Sequence, residues 1–178
     1  MKTMVYIAIS LDGFIARTNG DLDWLMNPKN HSNEVLEGYN DFISKIDAIV
    51  IGSGTYEKVL TFSSWPYEKK VFLLSTSVKL LPKNLIEKVT ILSMKPRELL
   101  NYLSSEGFSN IYVDGGKVIQ GFLKEDCIDE VIITKVPVLI GSGIPLFGSL
   151  DNDLQFTHIK TNVYSNGLVK SHYERKRN

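Results

Sequence analysis

Short apolar runs alternate with segments of helical character along most of the chain. The runs are rich in β-branched and aromatic residues and predict buried strands at residues 5–9, 47–52, 70–75, 89–92, 111–113 and 128–137. Helices are predicted between them, at residues 33–45, 53–60 and 96–107 and from residue 118 onward. The first helix is expected to have its cap at Ser32 or Asn33, and Pro96 suits the first turn of the third.

Two further segments, residues 153–165 and 168–176, close the sequence. The Asn166-Gly167 dipeptide between them is typical of a hairpin turn. Alternating strands and helices predict a mostly parallel sheet of about eight strands, with helices on both faces and this antiparallel hairpin at its edge. No repeat, low-complexity tract or linker interrupts the pattern, so residues 1–178 are interpreted as one α/β domain.

Composition excludes several classes of function. The chain has 20 Lys and Arg against 20 Asp and Glu, a net charge of +0, which gives no support to nonspecific nucleic-acid or membrane binding. No apolar stretch approaches the roughly 20 residues that cross a bilayer, and residues 1–13 lack the pattern of a secretory signal. The single cysteine, Cys127, and three scattered histidines predict neither a disulfide nor a zinc site. We therefore expect a cytoplasmic protein, with a short basic tail at residues 174–178 that is frayed and solvated.

The candidate chemistry lies where predicted strands end. Open sheets of this type bind ligands at the carboxyl ends of their strands, here at the loops that begin with Ser10, Gly52, Ser75 and Asp114. Glycines and hydroxyls at strand-to-helix corners offer backbone N–H groups to phosphates. Each corner also has an ordinary interpretation, as a helix cap, a polar loop or a strained turn. The glycine spacing does not match the usual dinucleotide-binding fingerprint.

The order of these motifs resembles a known family. IAISLDGFIA, GDLDWL, VIGSGTYE, FLLSTS, VDGGKVIQGFL and VLIGSGIPLF follow one another as in the dihydrofolate reductase superfamily. Within it the sequence is most similar to the reductase domain of the bifunctional deaminase-reductases of riboflavin biosynthesis and to its stand-alone relatives. The likeness spans nearly the whole chain. It implies a dihydrofolate-reductase-like fold, a homodimer, and NADPH-dependent reduction of a small-molecule pyrimidine, pterin or ribosylaminopyrimidine, as in 5-amino-6-(5-phosphoribosylamino)uracil reductases.

The resemblance also implies which residues form the site. The residues that match cofactor-binding positions are Ala8, Trp24, Gly52, Ser53, Gly54, Thr55, Ser75, Thr76, Gly115, Gly116, Lys117 and Val118. Ser75 and Thr76 match the loop that receives the adenosine 2′-phosphate. Asp114 matches an acidic position that meets substrate, and Asp12 is the second catalytic candidate. Two alternatives stay open, because Asp12 also suits an Asp-Gly turn and Trp24 also suits a loop anchor on the core.

Two departures from the family pattern bear on function. Dihydrofolate reductases typically carry an Arg where this chain has Ser53, and a serine cannot clamp a phosphate with paired hydrogen bonds. The acids of the first helix, Glu34, Glu37 and Asp41, are predicted to be solvated, since they lie opposite its apolar stripe. Dihydrofolate is therefore a poor substrate candidate. A nucleotide-binding scaffold without turnover is the alternative, and a flavodoxin-like module fits the glycines but not the ordered motifs.

Overall fold

The structure, a computed structural model, describes residues 1–30 and 33–177, so the predicted cap at Ser32 lies outside the described residues. The strands are β1 (Lys2–Ser10), β2 (Phe14–Ala16), β3 (Ala48–Gly52), β4 (Lys70–Leu74), β5 (Val89–Leu92), β6 (Asn110–Asp114), β7 (Glu130–Val136), β8 (Ile144–Pro145), β9 (Phe156–Val163) and β10 (Val169–Arg175). The helices are α1 (Asn33–Ile43), α2 (Ser53–Val59), α3 (Pro96–Ser105) and α4 (Gly116–Lys124).

Eight strands form one sheet in the order β5-β4-β3-β6-β1-β7-β10-β9. The six strands from β5 to β7 in this order are parallel to one another. Strand β10 pairs antiparallel with both β7 and β9. The predicted class is confirmed: a mostly parallel sheet with an antiparallel hairpin at one edge. The hairpin turns at Asn166-Gly167 as predicted, and Gly167 has a φ of 84°.

The core lies on both faces of the sheet. Along β3, Ala48 and Val50 pack on one face with α3 and α4, whereas Ile49 and Ile51 pack on the other with α1 and α2. Because successive side chains of a strand point to opposite faces, a strand covered on both sides must be apolar at every position. This explains why the central strands are read as continuous apolar runs in the sequence.

The helix ends are explained by a backbone hydrogen bond, a proline and a glycine. α1 stops at Ile43, two residues before the predicted end, because Lys45 N donates to Phe42 O in a tighter turn that leaves the α-helical pattern. α3 begins with Pro96 in its first turn, where a missing N–H costs little. It ends before Gly107, whose φ of 88° is the left-handed conformation that stops many helices.

A small ribbon of two short strands was not expected from the sequence. Residues 14–16 and 144–145 pair as a small antiparallel ribbon, β2–β8, although both segments were predicted as loops. Strands of two or three residues are too short to show a period, so the ribbon leaves no pattern in the sequence. The ribbon holds the loop after β1 against the loop after β7.

The expectation of a frayed basic tail is wrong as far as Arg177. Arg175 is part of β10 and donates to Asp126 at 2.7 Å, and Arg177 forms an ion pair with Asp129. Acidic residues at the corner between α4 and β7 thus hold the tail in place. Cys127 in the same corner is buried, and burial raises the pKa of its thiol, which makes it an unreactive packing residue.

Two absences concern only residues 1–30 and 33–177. None of their helices combines the length and apolar character that crossing a membrane requires. Among the same residues, His, Cys, Asp and Glu side chains form no group of three or more that could hold a metal ion.

We predict that Phe122→Ala destabilises the protein by about 3–5 kcal/mol, because Phe122 is fully buried between α4 and the sheet. Leu80→Ala is the matched control, since Leu80 is 87% exposed and its truncation should change the free energy of unfolding by less than about 0.5 kcal/mol. Urea denaturation of both variants measures the difference. Equal effects of the two substitutions would contradict the assigned core.

Candidate active site

Two of the predicted phosphate corners touch each other. β3 and β6 are neighbours with Ile51 opposite Asp114, so α2 and α4 begin side by side. A Cβ atom on Gly52 would lie 2.7 Å from Val118 Cγ2 of α4. A Cβ atom on Gly115 would collide with Thr55 Oγ1 of α2. Backbone approaches this close require glycine at both corners.

Gly115 also has a backbone requirement of its own. Its φ of 98° lies in a region that side-chain-bearing residues rarely adopt. The next residue, Gly116, is buried against the small ribbon: a Cβ atom there would lie 2.8 Å from Ile15 Cδ1. Lys117 is exposed and Val118 is partly buried against Gly52. The loop after β6 thus joins the loop after β3 and the ribbon after β1 in one place.

The third predicted corner lies on the next strand of the same edge. Gly52 of β3 pairs with Leu74 of β4, which places Ser75 beside the start of α2. Ser75 Oγ accepts hydrogen bonds from Ser77 N at 3.2 Å and from Val78 N at 3.0 Å, so this hydroxyl shapes its own turn. The hydroxyl of Thr76 is exposed and free to meet a ligand. Ser53 and Gly54 lie at the start of α2, partly buried and exposed respectively.

Ala8 lies on the far side of Asp114, in β1. Tyr6 and Ala8 are two residues apart on the strand and therefore face the same side of the sheet. Both are partly buried, and Ala8 pairs in register with Thr134 of β7. The small side chain of Ala8 leaves space on this face near the carboxyl end of β1.

Asp12 fastens two loops together. Its carboxylate accepts hydrogen bonds from Ser10 Oγ at 2.6 Å, from Gly141 N at 2.8 Å and from Ile140 N at 3.1 Å. The Ser10 hydroxyl and these backbone N–H groups lower the pKa of Asp12. A carboxylate held ionised in this way is suited to accept hydrogen bonds and poorly suited to donate a proton. The geometry therefore favours the turn interpretation, and a catalytic role for Asp12 stays a prediction.

Trp24 is buried away from the glycine corners. Its indole packs with Val136, Tyr164 and Leu168, where β7 meets the β9–β10 hairpin. Asn30 Nδ2 donates to the Trp24 carbonyl at 2.8 Å and closes the loop. The indole N–H is buried and has no hydrogen-bond partner within the described residues. Trp24 thus anchors the loop on the core, and its role at the cofactor stays a prediction.

Asp114 is the titratable group of this edge. Tyr67 OH donates to Asp114 Oδ2 at 3.1 Å. Burial raises the pKa of Asp114 above its ordinary value, although the hydrogen bond from Tyr67 acts to lower it. Raised pKa values in a polar corner are characteristic of functional carboxyl groups.

An aromatic cluster covers the sheet beside Asp114; we define it as Tyr6, Tyr39, Phe42, Tyr67 and Tyr112. The Tyr6 ring lies 5.7 Å from Tyr39 and 4.7 Å from Phe42, measured between ring centroids. Tyr112 OH donates to the Tyr6 carbonyl at 2.9 Å. These rings form an apolar wall with polar tips, an environment that suits a flat heterocycle.

Sequence reasoning missed several members of this site. Tyr6 carries a usable signal, since it shares a face with Ala8 by strand alternation. Tyr67 has none, because it lies in a segment without periodicity and reaches Asp114 only through the fold. The prediction for the first helix is confirmed: Glu34, Glu37 and Asp41 are all exposed.

A cleft of about 440 Å³ opens at the opposite, amino-terminal edge of the sheet, beside Lys2 and Arg177. Lys2 forms an ion pair with Glu130, and Arg177 forms one with Asp129. The main charged side chains of this cleft therefore form ion pairs with one another. The carboxyl edge, with its close-set glycines and its raised carboxyl pKa, is the better candidate.

Comparison with known proteins identifies the family of the chain. The sequence profile of the RibD C-terminal domain matches residues 2–170. The chain belongs to the RibD C-terminal domain family. The uncharacterized protein YwjB of Bacillus subtilis strain 168 is 40% identical over 177 residues, covering 98% of each chain. A proposed riboflavin biosynthesis protein from Shewanella sp. PV-4 has a crystal structure that matches with a TM-score of 0.91 at 42% identity, covering 99% of this chain and 100% of that one.

More distant structures share the fold of this RibD C-terminal domain. A diaminohydroxyphosphoribosylaminopyrimidine deaminase/5-amino-6-(5-phosphoribosylamino)uracil reductase from Thermotoga maritima matches with a TM-score of 0.76 at 16% identity, covering 98% of this chain and 56% of that one. Dihydrofolate reductase from Enterococcus faecalis, solved with NADP(H), matches with a TM-score of 0.68 at 15% identity, covering 99% and 97%. The resemblance to the dihydrofolate reductase superfamily is thereby confirmed for the fold.

We predict that Gly115→Ala destabilises the protein by about 1–3 kcal/mol, because a side chain there requires a strained φ and collides with Thr55. Gly54→Ala is the control, since nothing lies within 4 Å of a Cβ atom at Gly54 and alanine favours the helix. Thermal unfolding should show a lower Tm for Gly115→Ala and an unchanged or higher Tm for Gly54→Ala. The same Tm in both variants would show that the two corners are not in contact.

We also predict a pH-dependent effect of Asp114→Asn. The folded-state pKa of Asp114 is raised above its ordinary value of 3.8, so ionisation costs stability as pH rises through the folded pKa. Below 3.8 the wild-type carboxyl is protonated in both states and this cost is absent. The Tm of Asp114→Asn relative to wild type should therefore increase from acid to neutral pH. A decrease over that range would contradict the raised pKa.

Proposed function

We propose that this RibD C-terminal domain is an NADPH-dependent reductase of a pyrimidine, pterin or ribosylaminopyrimidine substrate, similar to 5-amino-6-(5-phosphoribosylamino)uracil reductases. The contact between the glycine corners, Gly52 with Val118 and Thr55 with Gly115, carries this proposal. It brings two helix starts that are distant in sequence side by side, and helix starts carry backbone N–H groups without intrahelical partners. Family membership and the fold shared with an NADP(H)-bound dihydrofolate reductase support it.

The residues at this edge fit a dinucleotide. Gly52 and Gly115 let α2 and α4 begin side by side, with Val118 and Thr55 packed where their Cβ atoms would lie, so both helix starts can present backbone N–H groups to the phosphates of one dinucleotide. Thr55 adds a hydroxyl between the two corners, and Thr76 offers an exposed one for a 2′-phosphate. Ser53 contributes no positive charge here. Lys117 at the start of α4 is the one cation among the residues assigned to the cofactor, and without an Arg at position 53 we expect weaker phosphate binding than paired guanidinium hydrogen bonds would give.

Bound NADPH supplies the hydride, and the protein supplies position and a proton path. Ala8 leaves room beside β1 for a flat ring, and the aromatic cluster excludes water from that face. Asp114 accepts a hydrogen bond from a substrate N–H or O–H, and its raised pKa lets it hold a proton closer to neutral pH than an exposed aspartate does. The homodimer and the cytoplasmic location implied by the family likeness belong to the same proposal.

The second candidate function is a nucleotide-binding scaffold with the same fold and no turnover. Two observations favour it: Ser53 replaces a phosphate-clamping Arg, and Asp12 is fully engaged in loop contacts. Both candidates require dinucleotide binding, so only turnover separates them.

We predict that NADPH raises the Tm of the wild-type protein more than NADH does at equal concentration. Thr55→Ala should reduce the NADPH-induced shift, because it removes the hydroxyl between the two phosphate corners. Thr157→Ala, at an exposed position on β9, is the control and should keep the full shift. The absence of any NADPH-induced shift in the wild type would refute the proposed function.

Turnover is then measured as loss of NADPH absorbance with a panel of pterins and ribosylaminopyrimidines. The reductase proposal expects one class to oxidise NADPH, and Asp114→Asn to reduce turnover more than NADPH binding. Binding without turnover across the whole panel would favour the scaffold.

A further inference from the structure

Lys170 of β10 is a partly buried cation on the same face as the aromatic cluster. Its Nζ lies 5.4 Å from the centroid of the Tyr164 ring and 5.7 Å from that of Tyr6. Within residues 1–30 and 33–177 it has no carboxylate within ion-pair distance. Ring faces offset part of the cost of burying an ammonium group, but they do not neutralise its charge.

Helix α1 makes room for this ammonium group. Gly38 lies directly beneath it, and a Cβ atom on Gly38 would collide with Lys170 Nζ and lie 3.5 Å from Tyr164 OH. Glycine inside a helix costs about 1 kcal/mol relative to alanine. Gly38 therefore lowers the stability of α1, and its lack of a side chain leaves room for the lysine. None of the acids of α1, which are Glu34, Glu37 and Asp41, forms an ion pair with Lys170 among the described residues.

Burial acts to lower the pKa of Lys170, but the hydroxyls of Tyr164 and Tyr6 outweigh it and the pKa stays above the ordinary value. Lys170 is therefore an ammonium ion at neutral pH. A half-buried charge without an internal counter-charge is a feature of binding sites more than of packing.

The register of the sheet places Lys170 in the same row as Ala8, one of the proposed cofactor contacts. Lys170 pairs with Thr134, and Thr134 pairs with Ala8, so the three side chains share one face and one row. Two strand spacings, about 10 Å, separate Lys170 from Ala8. Asp114 lies beyond β1 on the other side. A ligand above β1 would thus meet an acid on one flank and a cation on the other.

We propose that Lys170 is a specificity-determining residue that binds an oxyanionic group, phosphate or carboxylate, carried by the substrate. This inference rests on the proposed function, because it assigns a charge to the substrate of the same site. The competing explanation is structural: through the Tyr6 ring and Gly38, the ammonium group fastens the hairpin to β1 and α1.

The first experiment separates the two explanations without any ligand. Lys170→Met keeps most of the aliphatic stem and removes the charge, whereas Lys160→Met does the same at an exposed position on β9. If Lys170 is kept for binding, its replacement leaves the Tm unchanged or raises it, since an uncompensated charge is removed. A Tm lower than that of Lys160→Met would overturn the proposal in favour of a structural cation.

The second experiment measures charge recognition by calorimetric titration of protein saturated with NADP⁺, which blocks the cofactor surface. The ligands are two matched pairs, uracil with orotate and uridine with uridine 5′-monophosphate. At least one anionic member should bind about tenfold more tightly than its neutral partner, as expected for a charge-assisted hydrogen bond. Lys170→Met should abolish that preference and keep the NADP⁺ affinity.

Each outcome has one meaning. A preference for orotate alone identifies a carboxylate, and one for the nucleotide alone identifies a phosphate. No preference in the wild type, or a preference that survives in Lys170→Met, overturns the role of Lys170. If NADP⁺ itself does not bind, the proposed function fails, and the same pairs titrated against the free protein still decide whether Lys170 recognises an anion.

Discussion

The close approach of two strand-to-helix corners is the constraint on which the candidate site depends. β3 and β6 are adjacent in the sheet, so the loops that follow them must pass each other within van der Waals distance. Only glycine fits at Gly52, under Val118, and at Gly115, against Thr55. Helix starts carry backbone N–H groups without intrahelical partners, so this packing brings two candidate phosphate-binding ends side by side.

Charge is distributed sparingly around this surface. The Asp12 carboxylate accepts hydrogen bonds from Ser10 and from the backbone of the loop after β7. It therefore stabilises the edge of the site and adds no free charge. Asp114 and Lys170 are different, because each is held beside tyrosine hydroxyls and neither forms an ion pair within the described residues. A phosphate surface whose charged residue is Lys117, with one acid and one further cation beyond it, suits a ligand that carries polar groups of its own.

The sequence predicted those parts of the structure that depend on neighbouring residues. Continuous apolar runs identified the central strands because both faces of the sheet are covered, and the Asn166-Gly167 turn identified the hairpin. The same local pattern located the glycine corners after the predicted strands, and the family likeness gave the dihydrofolate-reductase-like fold, which the comparisons confirm. The roles it assigned to individual residues stay predictions.

The remaining features depend on contacts between residues distant in sequence, which no local period encodes. Tyr67 meets Asp114 across 47 positions, and Asp12 meets Ile140 across 128. Lys170 looks like an ordinary strand lysine until the fold places Gly38 beneath it. Arg177 was expected to be solvated for the same reason, because its partner Asp129 lies in another corner.

The most direct test of the account is hydrogen–deuterium exchange of the backbone amides with and without NADPH. If one dinucleotide spans the carboxyl edge of the sheet, residues 52–56, 75–78 and 115–118 should all exchange more slowly in its presence. Protection confined to a single corner, or found instead beside Lys2 at the opposite edge, would show that these corners do not form one cofactor site.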